Sequence, residues 1–330
     1  MCDESNQKIK SGRVEVALIA DRKALLPLAV VVAGVMRHVG QRAVRFHILS
    51  PGLDGRDRAG IERLAVREGN GTLAWLDTRE AQRMIAELPQ VAHVPPISYT
   101  RLLLPTLVPD VERLLYLDVD LVVKADIGVL WDLGTDGRAI AAVADPGMPM
   151  LGSPNCVHYA VEELEDPDAR PFNAGVMLMD LTIWRSENLA AEVLAFLRRW
   201  MNCLTWADQD GLNVVLEKRW AERELMWNVP VPLLYGGNPA QLPEVSAFDT
   251  RPHFAKPAIY HLAGGNKPWN SGPNHTFRQA WLRELRSSGF HSDVSWQAWR
   301  AGDEARALTF TVRNRLRNWR RPARRAEEVP

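Results

Sequence analysis

Two carboxylates stand two residues apart in an otherwise apolar stretch, Leu114-Leu115-Tyr116-Leu117-Asp118-Val119-Asp120-Leu121-Val122-Val123. The apolar residues read as a buried strand and its continuation, and in an extended chain Asp118 and Asp120 point to one face. Burying a single ionised carboxylate costs several kcal/mol unless something positive meets it. Two on one face add mutual repulsion. A divalent cation removes the conflict, because hard cations take carboxylate oxygens as ligands. The purely structural alternative is a pair of strand-end aspartates that face water or cap a turn.

A metal held this way needs a further protein ligand. One candidate lies in Tyr260-His261-Leu262-Ala263-Gly264-Gly265-Asn266-Lys267-Pro268-Trp269. His261 follows Ile259 and Tyr260, as at a strand end. Gly264 and Gly265 let the backbone approach a ligand closely, and Lys267 supplies a point charge suited to phosphate. Two carboxylates, an imidazole and phosphate oxygens suit Mn²⁺ or Mg²⁺ better than zinc, which prefers nitrogen and sulfur. A lone histidine is more often structural than a ligand, so His261 carries weight only with the aspartates.

The elements that must position these groups alternate. Val14–Ala20 reads as a strand ending at Asp21, followed by a helix over Leu25–Arg37; Arg45–Ser50 and Thr72–Leu76 are further strands around a helical Gly55–Glu68. A short helix is expected over Tyr99–Leu104, then the Leu114 strand, then Ala139–Ala144 ending at Asp145. Such alternation predicts an α/β fold, a mostly parallel sheet covered by helices on both faces. Ligands bind such sheets at the carboxyl ends of the strands, where Asp21, Asp118 and Asp145 fall. No GxGxxG or P-loop pattern occurs, which disfavours dinucleotide oxidoreductases and P-loop kinases. From Pro146 to Pro171 the composition turns to Pro, Gly, Ser and acidic residues, as in a functional loop or lid. Phe172-Asn173-Ala174-Gly175 then leads into a strand over Val176–Met179, and Asp208 starts a helix carrying Leu212, Val215 and Leu216.

The totals exclude several classes. At 330 residues the chain slightly exceeds one ordinary core, so one large domain plus an appendage is expected. Lys+Arg and Asp+Glu are both 40, so no net charge draws the protein to nucleic acid. Three cysteines without CxxC spacing rule against a disulfide framework. Met1–Arg13 lacks the apolar core of a signal peptide, and Leu25–Met36 is too short to span a bilayer, which predicts a cytoplasmic protein. Arg300–Arg325 holds nine arginines against two acids, with Leu308, Val312, Leu316 and Trp319 on one helical face. A basic amphipathic helix suits peripheral contact with the anionic inner face of the cytoplasmic membrane. The alternative is a helix packed on the domain with a solvated basic rim.

With these pieces in order, the chain resembles glycosyltransferase family 8, the retaining enzymes. Arg101, Asp118-Val119-Asp120, Phe172-Asn173-Ala174-Gly175, Asp208-Gln209-Asp210 and His261 through Trp269 carry the resemblance, over about Val14 to Trp269. It implies a GT-A nucleotide-sugar fold with a Rossmann-like sheet as a catalytic domain over residues 14–280, and leaves 281–330 as a basic helical extension. It implies a UDP-sugar donor, a carbohydrate or glycolipid acceptor, and Mn²⁺ (or Mg²⁺) on Asp118, Asp120 and His261. Gly264 and Lys267 would then lie at the phosphates, Arg101 at the diphosphate or sugar, and Ala20 and Asp21 at uracil, with Val119 also among the donor-binding residues. Asn173, Ala174, Asp208 and Gln209 correspond to the donor-sugar pocket, and Asp145 to a residue beside it. One departure concerns the base: Lys23 and Ala24 stand where the family often has Asn and a stacking aromatic.

Asp208, by its type, also suits a helix N-cap, and Asp21 could simply close a turn. Retention permits a double displacement, with Gln209, Asp208 or Asp145 as the attacking group, or entry of the acceptor on the face that UDP leaves. None of the three is an obvious strong nucleophile, which favours same-face entry. Two other readings compete. One is a non-catalytic nucleotide-sugar-binding protein. The other is a haloacid-dehalogenase-like phosphatase with Asp118 as nucleophile, disfavoured because three strands precede the motif and no Asp-Asp dipeptide occurs.

Overall fold

Short apolar runs become strands, and each of the first three is followed by a helix. β1 (Val14–Ile19), β2 (Val44–Leu49) and β3 (Gly71–Leu76) alternate with α1 (Leu25–His38), α2 (Gly55–Arg67) and α3 (Arg79–Ile85). The computed structural model describes residues 12–231, except 78, 90, 92, 93 and 95, together with 256–265, 267–270 and 277–290. A 3₁₀ segment, Pro96–Leu103, and α4 (Leu104–Leu107) lead to β4 (Arg113–Leu117), β5 (Leu121–Val123), α5 (Ile127–Leu133) and β6 (Ile140–Ala144). Then come β7 (Phe172–Asp180), α6 (Leu181–Ser186), α7 (Leu189–Arg199), α8 (Asp208–Val215), β8 (Trp220–Arg223), β9 (Val229–Pro230), β10 (Ile259–His261) and α9 (Arg278–Ser287).

The large sheet has the order β3-β2-β1-β4-β7-β6-β8. β3, β2, β1 and β4 run parallel, and β6 is parallel to β8. β7 is antiparallel to both of its neighbours, so the sheet is mixed, with one reversed strand. Side-chain alternation splits the core in two: Val16, Leu18, Leu115, Leu117 and Leu178 face α1 and α2, while Ala17, Leu114, Tyr116, Met177 and Met179 face α6, α7 and α8.

α1 is buried continuously from Leu25 to Met36 because it has structure on both sides. A Cβ on Gly34 would lie 3.1 Å from the Val123 carbonyl, so the helix packs hard against β5. Trp281, Leu282 and Leu285 of α9 join the same core. α9 therefore runs across residues 280 and 281, where the sequence suggests that the catalytic domain ends. The basic segment Arg300–Arg325 lies outside the described residues. Among the described residues no helix is long and apolar enough to cross a membrane.

A second, three-stranded sheet, β5-β10-β9, has no counterpart in the sequence reading. The strand and continuation expected over Leu114–Val123 lie in different sheets: β4 ends at Leu117, Asp118-Val119-Asp120 turns, and β5 joins the small sheet. The chain bends there because Leu117 still pairs with Val176, whereas Leu121 pairs with His261.

Candidate active site

The turn between the two sheets builds the site. Asp118 donates its N–H to the Gly175 carbonyl at 2.8 Å, one step beyond the β4–β7 pairing. Across the small sheet Leu262 N–H donates to the Asp120 carbonyl at 2.8 Å, next to the Leu121–His261 pair. These two ladders bring His261 onto the aspartates despite the distance between them in sequence. One ligand atom each from Asp118, Asp120 and His261 lies within 4.8 Å of the others. His261 Nε2 is 3.4 Å from Asp120 Oδ1 and 3.9 Å from Asp118 Oδ2. Among the described residues no other group of three His, Cys, Asp or Glu side chains converges in this way. Two carboxylates and one imidazole fit a hard dication such as Mn²⁺ or Mg²⁺.

The surrounding charges keep this set poised. Burial opposes ionisation of Asp120, but His261 and the Lys267 ammonium, both bonded to it, hold its carboxyl well below the usual range. Burial likewise opposes the charged imidazole, yet Asp120 and Asp118 outweigh it and raise the His261 pKa. Lys267 also donates to the Leu262 carbonyl at 2.8 Å. Gly264, between them, has φ +87°, a conformation that favours glycine. Tyr116, two residues before Asp118 and buried, donates its hydroxyl to Asp118 Oδ1 at 2.5 Å.

Arg101 ties the aspartate turn to α8. Its Nε lies 2.7 Å from Asp208 Oδ2, its Nη1 donates to the Ala174 carbonyl at 2.8 Å, and its Nη2 is 3.5 Å from Asp118 Oδ1. The guanidinium stacks over the Tyr116 ring at 4.6 Å and is 5 % exposed. Burial works against its charge, but Asp208 and the neighbouring groups more than compensate and raise its pKa. Asp208 is therefore not the N-cap that its type suits. Ala207 takes that position, with φ 57° and ψ −123°, a conformation L residues rarely adopt, and Asp208 begins the helix with its carboxylate on Arg101.

The second half of the site is a lattice of amides. Gln209 Oε1 accepts from Ala174 N–H at 2.9 Å, and its Nε2 reaches Asp145 Oδ2 at 3.4 Å. Asn173 Nδ2 donates to the same Asp145 oxygen at 2.9 Å, while Asp145 Oδ1 accepts from Gly147 N–H at 2.9 Å. Asn173 thus lies inside β7, where the sequence suggests a loop before the strand. Ala20 and Asp21 stand at the end of β1, the strand beside β4, with their polar groups used locally. The Ala20 carbonyl accepts from Ser50 Oγ at 2.6 Å, and Asp21 Oδ1 caps Ala24 N–H at 3.0 Å.

Three residues of the site have no role assigned to them by the sequence. Asn228 is buried between His261 and Asn173, 2.9 Å from each. Its one signal is that it is a polar residue inside the apolar run Leu225–Val231. Gly175 has no room for a side chain: a Cβ there would lie 2.4 Å from His261 Cε1. Tyr116 was legible in principle, since strand alternation puts it on the Asp118 side.

The 146–171 insertion, which carries a 3₁₀ segment over His158–Glu163, is fastened rather than free. Tyr159 OH donates to Asp210 Oδ2 at 2.8 Å, and Trp206 Nε1 donates to the Asn155 carbonyl at 2.8 Å. Burial pushes the Asp210 carboxyl up to about 6 despite bonds from Thr205 N–H, Trp206 N–H and Tyr159.

Residues 15–272 match the profile of glycosyl transferase family 8. The chain belongs to glycosyltransferase family 8. The phosphatase reading falls with that assignment. The chain is similar to general stress protein A of Bacillus subtilis, 28 % identical over 74 % of this chain and 83 % of that protein. It is also similar to lipopolysaccharide 1,3-galactosyltransferase of Salmonella typhimurium, 25 % identical over 86 % of this chain and 80 % of that one. Among solved structures, galactosyltransferase LgtC in complex with donor and acceptor sugar analogs matches with TM-score 0.70 at 20 % identity, over 87 % of this chain and all of that chain. That likeness carries the fold: this is a GT-A-like family 8 glycosyltransferase with a mixed sheet.

Proposed function

We propose that this family 8 enzyme moves a hexose, glucose or galactose, from a UDP-sugar to a carbohydrate hydroxyl with retention of configuration. The observation that carries the reading is the convergence of Asp118, Asp120 and His261 from two sheets onto one point. Kinship with a lipopolysaccharide galactosyltransferase supports a hexose donor and a glycan or glycolipid acceptor.

Glycosyl transfer breaks the bond between the anomeric carbon and the diphosphate oxygen, leaving negative charge on UDP and positive charge on the sugar. Asp118, Asp120 and His261 would hold the dication, which when bound supplies Lewis-acid stabilisation of the leaving diphosphate. Lys267, at the edge of this set, adds fixed positive charge for the same purpose. Arg101 holds Asp208 and the Ala174 carbonyl in place, and Asn173, Gln209 and Asp145 form the wall for the sugar. The groups named for a double displacement are all engaged. Gln209 offers an amide oxygen already bonded to Ala174 N–H, Asp208 is 2 % exposed on Arg101, and Asp145 takes three donors. This supports same-face entry of the acceptor, with a phosphate oxygen of the leaving group taking its proton.

The test is a panel of UDP-sugars with Mn²⁺, scored by UDP release and by the anomeric configuration of the product. UDP-glucose or UDP-galactose should be turned over, slowly even without acceptor. Asp120→Asn or EDTA should abolish release while the circular dichroism spectrum persists. Full activity without divalent metal would refute the assignment, and binding with no release would favour a non-catalytic sugar-nucleotide binder.

A further inference from the structure

The orientation of His261 is fixed by a chain of groups that starts at a donor whose identity is beyond question. Gly175 N–H donates to Asn173 Oδ1 at 3.0 Å, so that atom of Asn173 must be oxygen. Its other end, 2.9 Å from the carboxylate of Asp145, must then be the NH₂ group. Asn228 approaches the same Asn173 oxygen at 2.9 Å, so it must present its own NH₂ there. A flipped Asn228 would set two carbonyl oxygens against each other. The remaining end of Asn228, its Oδ1, therefore faces His261 Nδ1 at 2.9 Å. An acceptor there demands a proton on Nδ1, and the neutral ring then has its lone pair on Nε2, the atom that faces Asp118 and Asp120.

We infer that Asn228 is a positioning residue that locks His261 in the Nδ1–H tautomer and so presents a ready Nε2 lone pair to the dication. This rests on the metal reading above. The donors all run one way, from His261 through Asn228 and Asn173 to Asp145, so the metal set and the sugar wall share one hydrogen-bonded relay. Asn228 is 1 % exposed and His261 4 % exposed, so water does not offer a substitute acceptor. The partner on the far nitrogen of a ligating histidine sets both its ring orientation and its basicity.

The test combines ¹⁵N NMR of histidine-labelled, metal-free protein at alkaline pH, where the ring is neutral, with Mn²⁺ titration. In the wild type the His261 ring should show a protonated Nδ1 and an unprotonated Nε2. Asn228→Ala should lose that preference and bind Mn²⁺ about 10–100-fold more weakly. Asn228→Asp keeps an acceptor toward Nδ1, at the cost of setting a carboxylate oxygen against Asn173 Oδ1, so it should keep the tautomer; a neutral ring protonated on Nε2 in this variant would overturn the inference, which keeps the test decisive if the alanine form does not fold. A neutral wild-type ring protonated on Nε2 would overturn the inference, as would an alanine variant with unchanged tautomer and Mn²⁺ affinity. A wild type with the expected tautomer that binds no Mn²⁺ would overturn the metal reading alone.

Discussion

Gly175→Ala is the smallest change aimed at the centre of the site. The added methyl would lie 2.4 Å from His261 Cε1, 2.9 Å from His261 Nδ1 and 3.0 Å from Asn173 Oδ1. Carbon atoms rest about 3.5–4.0 Å apart, so something must move by roughly 1 Å. β7 is held on its β4 side, where Val176 pairs with Leu117 and the Gly175 carbonyl accepts from Asp118 N–H, although its register with β6 skips Ala174–Val176. The imidazole is the part that yields, and it takes its ligand atom away from Asp120 and strains the bond to Asn228. Overpacking of this kind costs about 1–3 kcal/mol of stability. A displacement of about 1 Å at a reacting centre costs about 10²-fold in rate. The expected variant is folded, melts lower, loses about 10²-fold in kcat/KM, and needs more Mn²⁺ for half-saturation. The assay is UDP release across a Mn²⁺ titration, with thermal denaturation alongside. Unchanged turnover and unchanged Mn²⁺ half-saturation in a folded protein would refute the reasoning.

Arg101→Met leaves Asp208 buried without its counter-charge, so urea denaturation should show a loss of about 3–5 kcal/mol. Arg101→Lys should recover only part of this, since an ammonium cannot span Asp208 and the Ala174 carbonyl as the fork does; a methionine variant as stable as wild type would refute the pairing. Asp210 has a folded pKa of about 6 against an ordinary 3.8. The folded state therefore binds the extra proton between those values, and the Asp210 contribution to stability falls as pH rises through that window. Asp210→Asn keeps an acceptor for Thr205 and Trp206 N–H, so it should flatten the slope. At neutral pH it should be more stable, by at most about 3 kcal/mol. An unchanged pH profile of urea midpoints would count against this.

The sequence alone determined which residue types could meet a dication and in what fold they would do so. Asp118, Asp120 and His261 were legible because carboxylates in an apolar run and a strand-end imidazole beside a Gly-Gly-x-Lys loop are costly unless used. The alternation of strands and helices was legible because periodicity is local. Asn213 illustrates the limit: it bonds the Phe172 backbone at both N–H and C=O, yet in sequence it is one polar residue on a helix. Only the tertiary structure decided that the aspartates sit in a turn between two sheets, that β7 runs backwards, and that Asn228 and Gly175 bracket His261. Those outcomes depend on which strand pairs with which, and on a few tenths of an ångström between side chains remote in sequence. Local pattern carries neither. The turn at Val119 exists because Leu117 finds β7 while Leu121 finds β10, and no residue within the turn itself records that choice.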